Sequence, residues 1–397
     1  MNAYELISGI NCTGCFACMN NCPQDAITIG LDQAGFFVPK INESSCVDCN
    51  KCYKQCPSRS FAKKNTPICS YVSYCQDDEI YHKSSSGGVF ASIAKQFIDN
   101  NGVVYGACFD SNEQLVKHIR IESVNDVSKL QGSKYVQSYV GNIYRDVREK
   151  LLEGKNVLFS GTPCQIAGLF SVVDENKRTN LYTIDIICHG VSNNEMLKKS
   201  ISGYRRDSYP IDIRFRNKSK FEKSAFSLRL LYDDGKTITV DAFRDLYYRL
   251  YIDGKNYRES CYSCIYATRE RIGDITLGDC STYKDYSDFS MEKSLSTVII
   301  NTNKGEELWQ GMNRGLLFTK QNLERELSSN HQLYQPTKRP NDLMLVYSDY
   351  FVMPLKDLYR KYVDFDIKLF LMATIKRAIQ LKTRIKIRTF IKRTLNR

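Results

Sequence analysis

No stretch of the 397 residues approaches the roughly 18 consecutive apolar side chains that a membrane span requires. The opening segment Met1–Ile10 has neither the basic start nor the apolar core of a secretory leader, so the expected location is cytoplasmic. Neither a Gly-x-Gly-x-x-Gly fingerprint nor a P-loop occurs, and a standard dinucleotide fold is not supported. Proline is scarce, at 9, and with 22 glycines the composition excludes collagen-like and low-complexity chains. The length predicts two or three domains.

Basic charge is missing from most of the chain, although the net charge is +12. Residues 1–60 hold 4 Lys/Arg against 5 Asp/Glu, and residues 61–353 hold 39 against 36. Residues 354–397 hold 13 against 3, so the excess belongs to a tail. A nucleic-acid groove is not indicated.

Cysteine is what the chain has in quantity, at 16. In a reducing compartment that number points to metal ligation or redox chemistry rather than disulfides. Cys12, Cys15, Cys18 and Cys22 recur 34 residues later as Cys46, Cys49, Cys52 and Cys56, and Pro23 and Pro57 follow each set. Two copies of Cys-x2-Cys-x2-Cys-x3-Cys-Pro give the spacing of a two-cluster bacterial-type ferredoxin, in which the fourth cysteine ligates the other cluster. The expected ligand sets are Cys12, Cys15, Cys18 and Cys56 for one 4Fe-4S cluster, and Cys46, Cys49, Cys52 and Cys22 for the second. Zinc, the alternative, takes two spaced pairs and has no use for three cysteines at three-residue steps. Some sixty residues make too small a core to stand alone, so the clusters would organise this module.

After a polar linker at 58–67 the pattern becomes mixed α/β. Val89, Ile93 and Phe97 predict a helix over 89–100, preceded by Ser84-Ser85-Ser86-Gly87-Gly88. Strands are expected at 103–109, 157–160, 181–188 and 272–277, with strands and turns over 211–251, including a hairpin turn at Asp233-Asp234-Gly235. Strand, helix, strand order suggests at least partly parallel pairing. Residues 301–329 read as helical. One-electron carriers coupled to organic chemistry need a converter, and flavin is the natural one. The Ser84–Gly88 loop ahead of a helix either cradles a phosphate or is a simple cap.

Ser85-Ser86-Gly87-Gly88-Val89, Gly132-Ser133-Lys134-Tyr135, Phe159-Ser160-Gly161-Thr162-Pro163-Cys164-Gln165, Asp185-Ile186-Ile187-Cys188-His189-Gly190, Phe215-Arg216-Asn217-Lys218 and Cys261-x2-Cys264 occur in that order. With the ferredoxin start, they resemble the coenzyme F-420 hydrogenase/dehydrogenase beta-subunit family from Asn11 to about Asn301. The family includes deazaflavin oxidoreductases, a ferredoxin-dependent plant chlorophyll reductase and bacterial members encoded in polysaccharide loci.

The resemblance implies an FAD-binding α/β domain with a further 4Fe-4S cluster, and through its motifs a cofactor site at Ser85, Ser86, Gly87, Gly88, Ser133, Lys134, Gly161, Thr162 and Gln165. Cys164, Cys188, Cys261 and Cys264 are the expected ligands of the further cluster. Cys164 and Cys188 each follow a predicted strand, so parallel neighbours would bring both to one sheet edge; buried structural thiols and a half zinc site are the alternatives. His189 and Lys134 are the catalytic candidates, although a strand-end histidine held by a carbonyl and a lysine on a phosphate are the plainer readings. Arg214, Arg216 and Lys218 either bind an anion or form a solvated face. Cys280 stands where the family pattern has a tryptophan nearby, and it is either a core thiol or a substitute ligand.

The expected architecture is an α+β ferredoxin-like two-cluster module (1–60), an α/β flavin-binding domain (61–350) and a basic amphipathic helical tail (351–397). Apolar spacing over 367–395 amid Lys and Arg suits a helix on an anionic membrane surface or one docked on protein. The expected function is an iron–sulfur flavin oxidoreductase. It would link a ferredoxin or other redox partner to a small-molecule or glycan-precursor substrate. Coenzyme F-420 chemistry and a non-catalytic electron-transfer subunit are the rivals.

Overall fold

A computed structural model describes residues 11–59, 62–205, 207–219, 222–290 and 293–363. The basic segment 367–395 lies outside them. No helix among the described residues is long and apolar enough to cross a membrane.

The cysteine-rich module has one antiparallel pair, β1 (Ile27–Leu31) and β2 (Phe37–Ile41), and two short helices, Ala17–Asn21 and Lys51–Lys54. Beyond it runs an eight-stranded mixed sheet. Its strands are β3 (Cys69–Cys75), β4 (Val103–Asp110), β5 (Leu115–Ile121), β6 (Val157–Gly161), β7 (Leu181–Ile186), β11 (Ile275–Asp279), β12 (Ser296–Ile300) and β13 (Leu316–Lys320), in the order β13-β3-β12-β11-β7-β6-β4-β5. The three numbers between β7 and β11 belong to a separate antiparallel sheet of β8 (Asp212–Ser219), β9 (Glu222–Leu231) and β10 (Thr237–Asp241).

At the centre of the large sheet, β4, β6, β7 and β11 are parallel neighbours. Their residues show why. Val157, Leu158 and Phe159 are all buried, as are Thr183, Ile184 and Asp185, the double-sided burial expected of parallel strands covered on both faces. The carboxyl ends of all four therefore open on one edge, the usual ligand edge of such a sheet. Helix Val89–Asp99 starts there, and so does helix Pro163–Val172, with proline at its first turn.

The second sheet packs with helices Asn194–Ser202, Leu246–Ile252 and Leu343–Val352 around Phe215, Leu228, Tyr247 and Tyr350. Helix Leu343–Val352 thus belongs to this core up to and past position 350. Two expectations need correcting: the end of 211–251 is not strand or turn but helix Leu246–Ile252, and residues 301–329 are not helical throughout. Helices Asn303–Gly311 and Leu323–Ser329 flank strand β13, whose Leu316–Lys320 pairs with β3 at the sheet edge. An edge strand exposed on Leu317 and Phe318 carries no clean inside–outside alternation to betray it.

Candidate functional site

All sixteen cysteines are free thiols. Twelve of them gather around three voids. Cys12, Cys15, Cys18 and Cys56 line the first, and Cys22, Cys46, Cys49 and Cys52 the second. The crossing of the fourth cysteine is thus present in the chain's own geometry. Electrostatics agree. Burial pushes the Cys18 thiol well up, with Cys15, Cys12 and Cys56 adding to it, whereas burial raises Cys52 with added contributions from Cys49, Cys22 and Cys46.

The third void is lined by Cys164, Cys188, Cys261 and Cys264. Cys164 follows β6 and Cys188 follows β7, and the two strands pair in parallel from Val157↔Leu181 to Gly161↔Asp185. Cys261 lies in the 3-10 helix Glu259–Ser263, and Cys264 follows it directly. Burial moves Cys164 and Cys261 up to about 12. Arg271 lines this void as well and is held by a fully buried ion pair with Asp185 at 3.0 Å, and Asp185 also accepts the Ile272 and Gly273 N–H groups. Among the described residues, no three His, Cys, Asp or Glu side chains close on a single metal ion.

Above the sheet edge lies a cavity of about 320 Å³, at the lower end of the range for small-molecule sites. Ser85, Ser86, Gly88, Ser133, Lys134, Gly161, Thr162, Gln165 and His189 all line it. Ser85 Oγ accepts the Ser133 N–H at 2.6 Å, which ties the two loops together. Gly88 takes a left-handed φ of 88° that lets the chain enter helix Val89–Asp99. Gly87 lies behind the cavity instead: a Cβ there would come 2.3 Å from the Ser73 carbonyl.

Lys134 does not present a free ammonium. Its Nζ donates to the Gln131 carbonyl at 2.7 Å and to Lys129 at 3.3 Å, and burial draws it down to about 8. Arg216 reaches the cavity from β8 paired with Asp279, and Lys218 donates to the Ser86 and Tyr81 carbonyls, so this basic row is built in rather than solvated. His189 lies on the wall between the cavity and the third void, with its imidazole held down by burial. Its carbonyl accepts from Thr337 Oγ1 at 3.0 Å. Cys280 is a core thiol among Val72, Tyr74 and Leu295, and it accepts from Gln321. Cys69, Cys75 and Cys108 line none of the voids.

Two groups escaped sequence reasoning. His118, on β5, is buried in the cavity wall and stacks on Phe159 at 5.2 Å. Alternation along β5 places it inward, yet only the fold puts β5 beside the site. Arg258 is buried too, donating to the Cys12 and Phe37 carbonyls at 2.7 and 3.0 Å and to Gln137 at 3.2 Å. It fastens the first cysteine loop to the α/β domain. Gln137 donates to Thr13 and Gly14 from the other side.

The chambers share walls. Cys52 lines the second void and the first, Thr13 the first and the third, and Cys188 the third and the cavity. Thr13 Oγ1 is buried without a hydrogen-bond partner, as suits a hydroxyl beside sulfur acceptors. Unbridged thiols in sets of four around a common void fit iron–sulfur clusters.

Comparison with known proteins agrees with this geometry. Residues 11–60 match the 4Fe-4S dicluster domain, and residues 154–326 match the C terminus of the coenzyme F420 hydrogenase/dehydrogenase beta subunit. No curated protein matches the chain. Among solved structures, a chain of the F420-reducing NiFe hydrogenase complex from Methanosarcina barkeri is similar at 16% identity, with 67% of this chain and 91% of that chain covered and a TM-score of 0.45. That likeness is too loose to carry inference. Residues 11–60 thus form a 4Fe-4S dicluster domain and residues 154–326 belong to the coenzyme F420 hydrogenase/dehydrogenase beta-subunit family, which makes the chain an iron–sulfur electron-transfer protein of that oxidoreductase type.

Proposed function

We propose that the chain is an iron–sulfur flavoprotein oxidoreductase carrying electrons between a ferredoxin-type partner at its surface and an organic substrate, a small molecule or glycan precursor, in the 320 Å³ cavity. The observation that carries the reading is the file of chambers with Cys52, Thr13 and Cys188 as shared walls.

In this reading Cys22, Cys46, Cys49 and Cys52 hold the outermost 4Fe-4S cluster, and Cys12, Cys15, Cys18 and Cys56 the next. Cys164, Cys188, Cys261 and Cys264 hold a third, and the cavity takes FAD. Bound clusters pass single electrons, and a bound flavin supplies the exchange between one-electron and two-electron chemistry. The protein's own part is positioning. Ser85, whose Oγ holds the Ser133 N–H and keeps its own hydroxyl proton to donate, stands just ahead of an eleven-residue helix, a setting suited to a phosphate. Lys134 braces the Ser133 loop through the carbonyls it binds. Arg216 and Asp279 place a compensated charge pair on the cavity wall, and His189 is the proton-handling candidate facing it.

The test is a count of iron, acid-labile sulfide and flavin per chain on anaerobically purified protein. About 12 iron atoms, from three four-iron clusters, with one FAD support the reading. About 8 without flavin would leave a non-catalytic electron-transfer subunit.

The match of residues 154–326 favours a second reading, in which coenzyme F-420 is the organic partner. Bleaching of bound flavin on mixing with reduced F-420 would select it, and an unchanged flavin spectrum would remove it.

A further inference from the structure

Thr162, Gln165, Ser138 and His118 all line the large cavity, yet their polar atoms engage one another. The direction of these hydrogen bonds is fixed from one end. The Ser160 carbonyl can only accept, so His118 Nε2 donates to it at 3.1 Å and Nδ1 is left as an acceptor. Ser138 Oγ, 3.0 Å away, therefore donates to Nδ1, and it accepts from Gln165 Nε2 at 2.9 Å. With its nitrogen committed, Gln165 turns Oε1 towards Thr162, where it accepts the backbone N–H at 3.0 Å and lies 3.1 Å from the hydroxyl. The hydroxyl has a second acceptor in Cys164 Sγ, also at 3.1 Å. A cysteine bound to iron is a thiolate and only accepts. One hydroxyl proton is therefore contested between an amide oxygen and a sulfur.

Hydrogen bonds to the sulfurs help to set the potential of an iron–sulfur cluster, because they stabilise the more negative reduced form. We propose that Thr162 tunes the cluster held by Cys164, Cys188, Cys261 and Cys264 through this hydrogen bond. Gln165, aligned by Ser138 and His118, is the positioning residue that draws the proton away and holds the potential lower than a fully donated bond would. The inference rests on the third-cluster reading above and deepens it.

The experiment is an anaerobic redox titration of the full chain followed by electron paramagnetic resonance, after iron has been counted. Wild type, Thr162→Val, Thr162→Ser and Gln165→Met are compared. About 8 iron atoms in the wild type would sink the third-cluster reading and this proposal with it. With about 12 present, Thr162→Val should lower the potential of the third cluster and Gln165→Met should raise it. Each should change the oxidised-to-reduced ratio at fixed ambient potential about tenfold, or 59 mV for one electron. Thr162→Ser should titrate with the wild type, and the two ferredoxin clusters should not move. Shifts of one sign in both variants, or no shift, overturn the tuning and leave the third cluster standing. If Thr162→Val fails to load, Gln165→Met decides alone: a rise supports the proposal and its absence overturns it.

Discussion

The two cysteine loops of the dicluster domain share one motif and sit in opposite surroundings. In the first, Cys15, Phe16 and Ala17 are buried and belong to the same apolar cluster as Val103, Tyr105 and Phe159 of the large sheet. Phe16 meets Phe37 and Tyr139 edge-on at 5.7 and 4.9 Å. In the second, Cys49 is exposed and Val47 is 60% exposed. Identical spacing has therefore made an inner and an outer site, and what separates them is what each loop packs against. The difference gives the file an exposed outer end and a buried inner end, and the inner end shares Thr13 with the third void.

The largest expected effect divides the two loops directly. Cys15→Ser and Cys49→Ser should each cost about four iron atoms per chain, but only Cys15→Ser should also lower the unfolding midpoint of the α/β domain. Paired iron assays and urea titrations check this, and equal midpoints would erase the inner–outer distinction. Next comes Arg258→Leu. It leaves the Cys12 and Phe37 carbonyls and the Gln137 side chain short of a donor, so a loss of about 4 kcal/mol is expected at roughly 1–3 kcal/mol per unsatisfied buried group. Hydrogen exchange should show the first loop released before the second.

A third prediction concerns His118. Burial, helped by Lys134, holds its imidazole down at about 4, against about 6.5 in the unfolded chain. The folded state thus binds this proton less readily, and the corresponding stability is full above pH ~6.5 and lost as pH falls towards 4. At 1.36 kcal/mol per pH unit the loss reaches about 3 kcal/mol. His118→Asn should flatten the acid limb of thermal stability between those pH values; an unchanged limb would mean that the inner wall is wetter than its geometry indicates. The smallest effect belongs to the outer loop. Val47→Lys should leave iron content intact and stability within about 0.5 kcal/mol, while altering the rate of reduction by a ferredoxin-type donor in stopped flow.

The ferredoxin module was legible because its information is local: three cysteines at three-residue steps must share a loop. The strand–cysteine junctions at Gly161–Cys164 and Ile186–Cys188 were legible for a similar reason, since parallel strands end on one edge. Contacts made by the fold alone were not. His118 lies on an ordinary alternating strand, Arg258 in an unremarked turn, and Lys134, expected on a phosphate or in catalysis, instead binds the Gln131 and Lys129 carbonyls. Gly87 reads like its neighbours in a small-residue run, yet it faces Ser73 and Ser296 rather than the cavity. Strand β13 was missed because an edge strand with two exposed apolar residues keeps no period.

The packing of the first loop against the sheet also bears on when iron can be installed. Synthesis releases the eight N-terminal cysteines together, but the inner loop's bed includes Ile166 and Leu169, made more than a hundred residues later. The Arg258 clasp and Cys264 come later still. Since chains mature from the N-terminus, on the proposed ligand assignment the outer site would be complete early on a nascent polypeptide, whereas the inner two would wait for strands β3 to β7, with β11 to β13 made later. Maturation would then run from the surface inwards, in the sense in which a donor's electrons would travel.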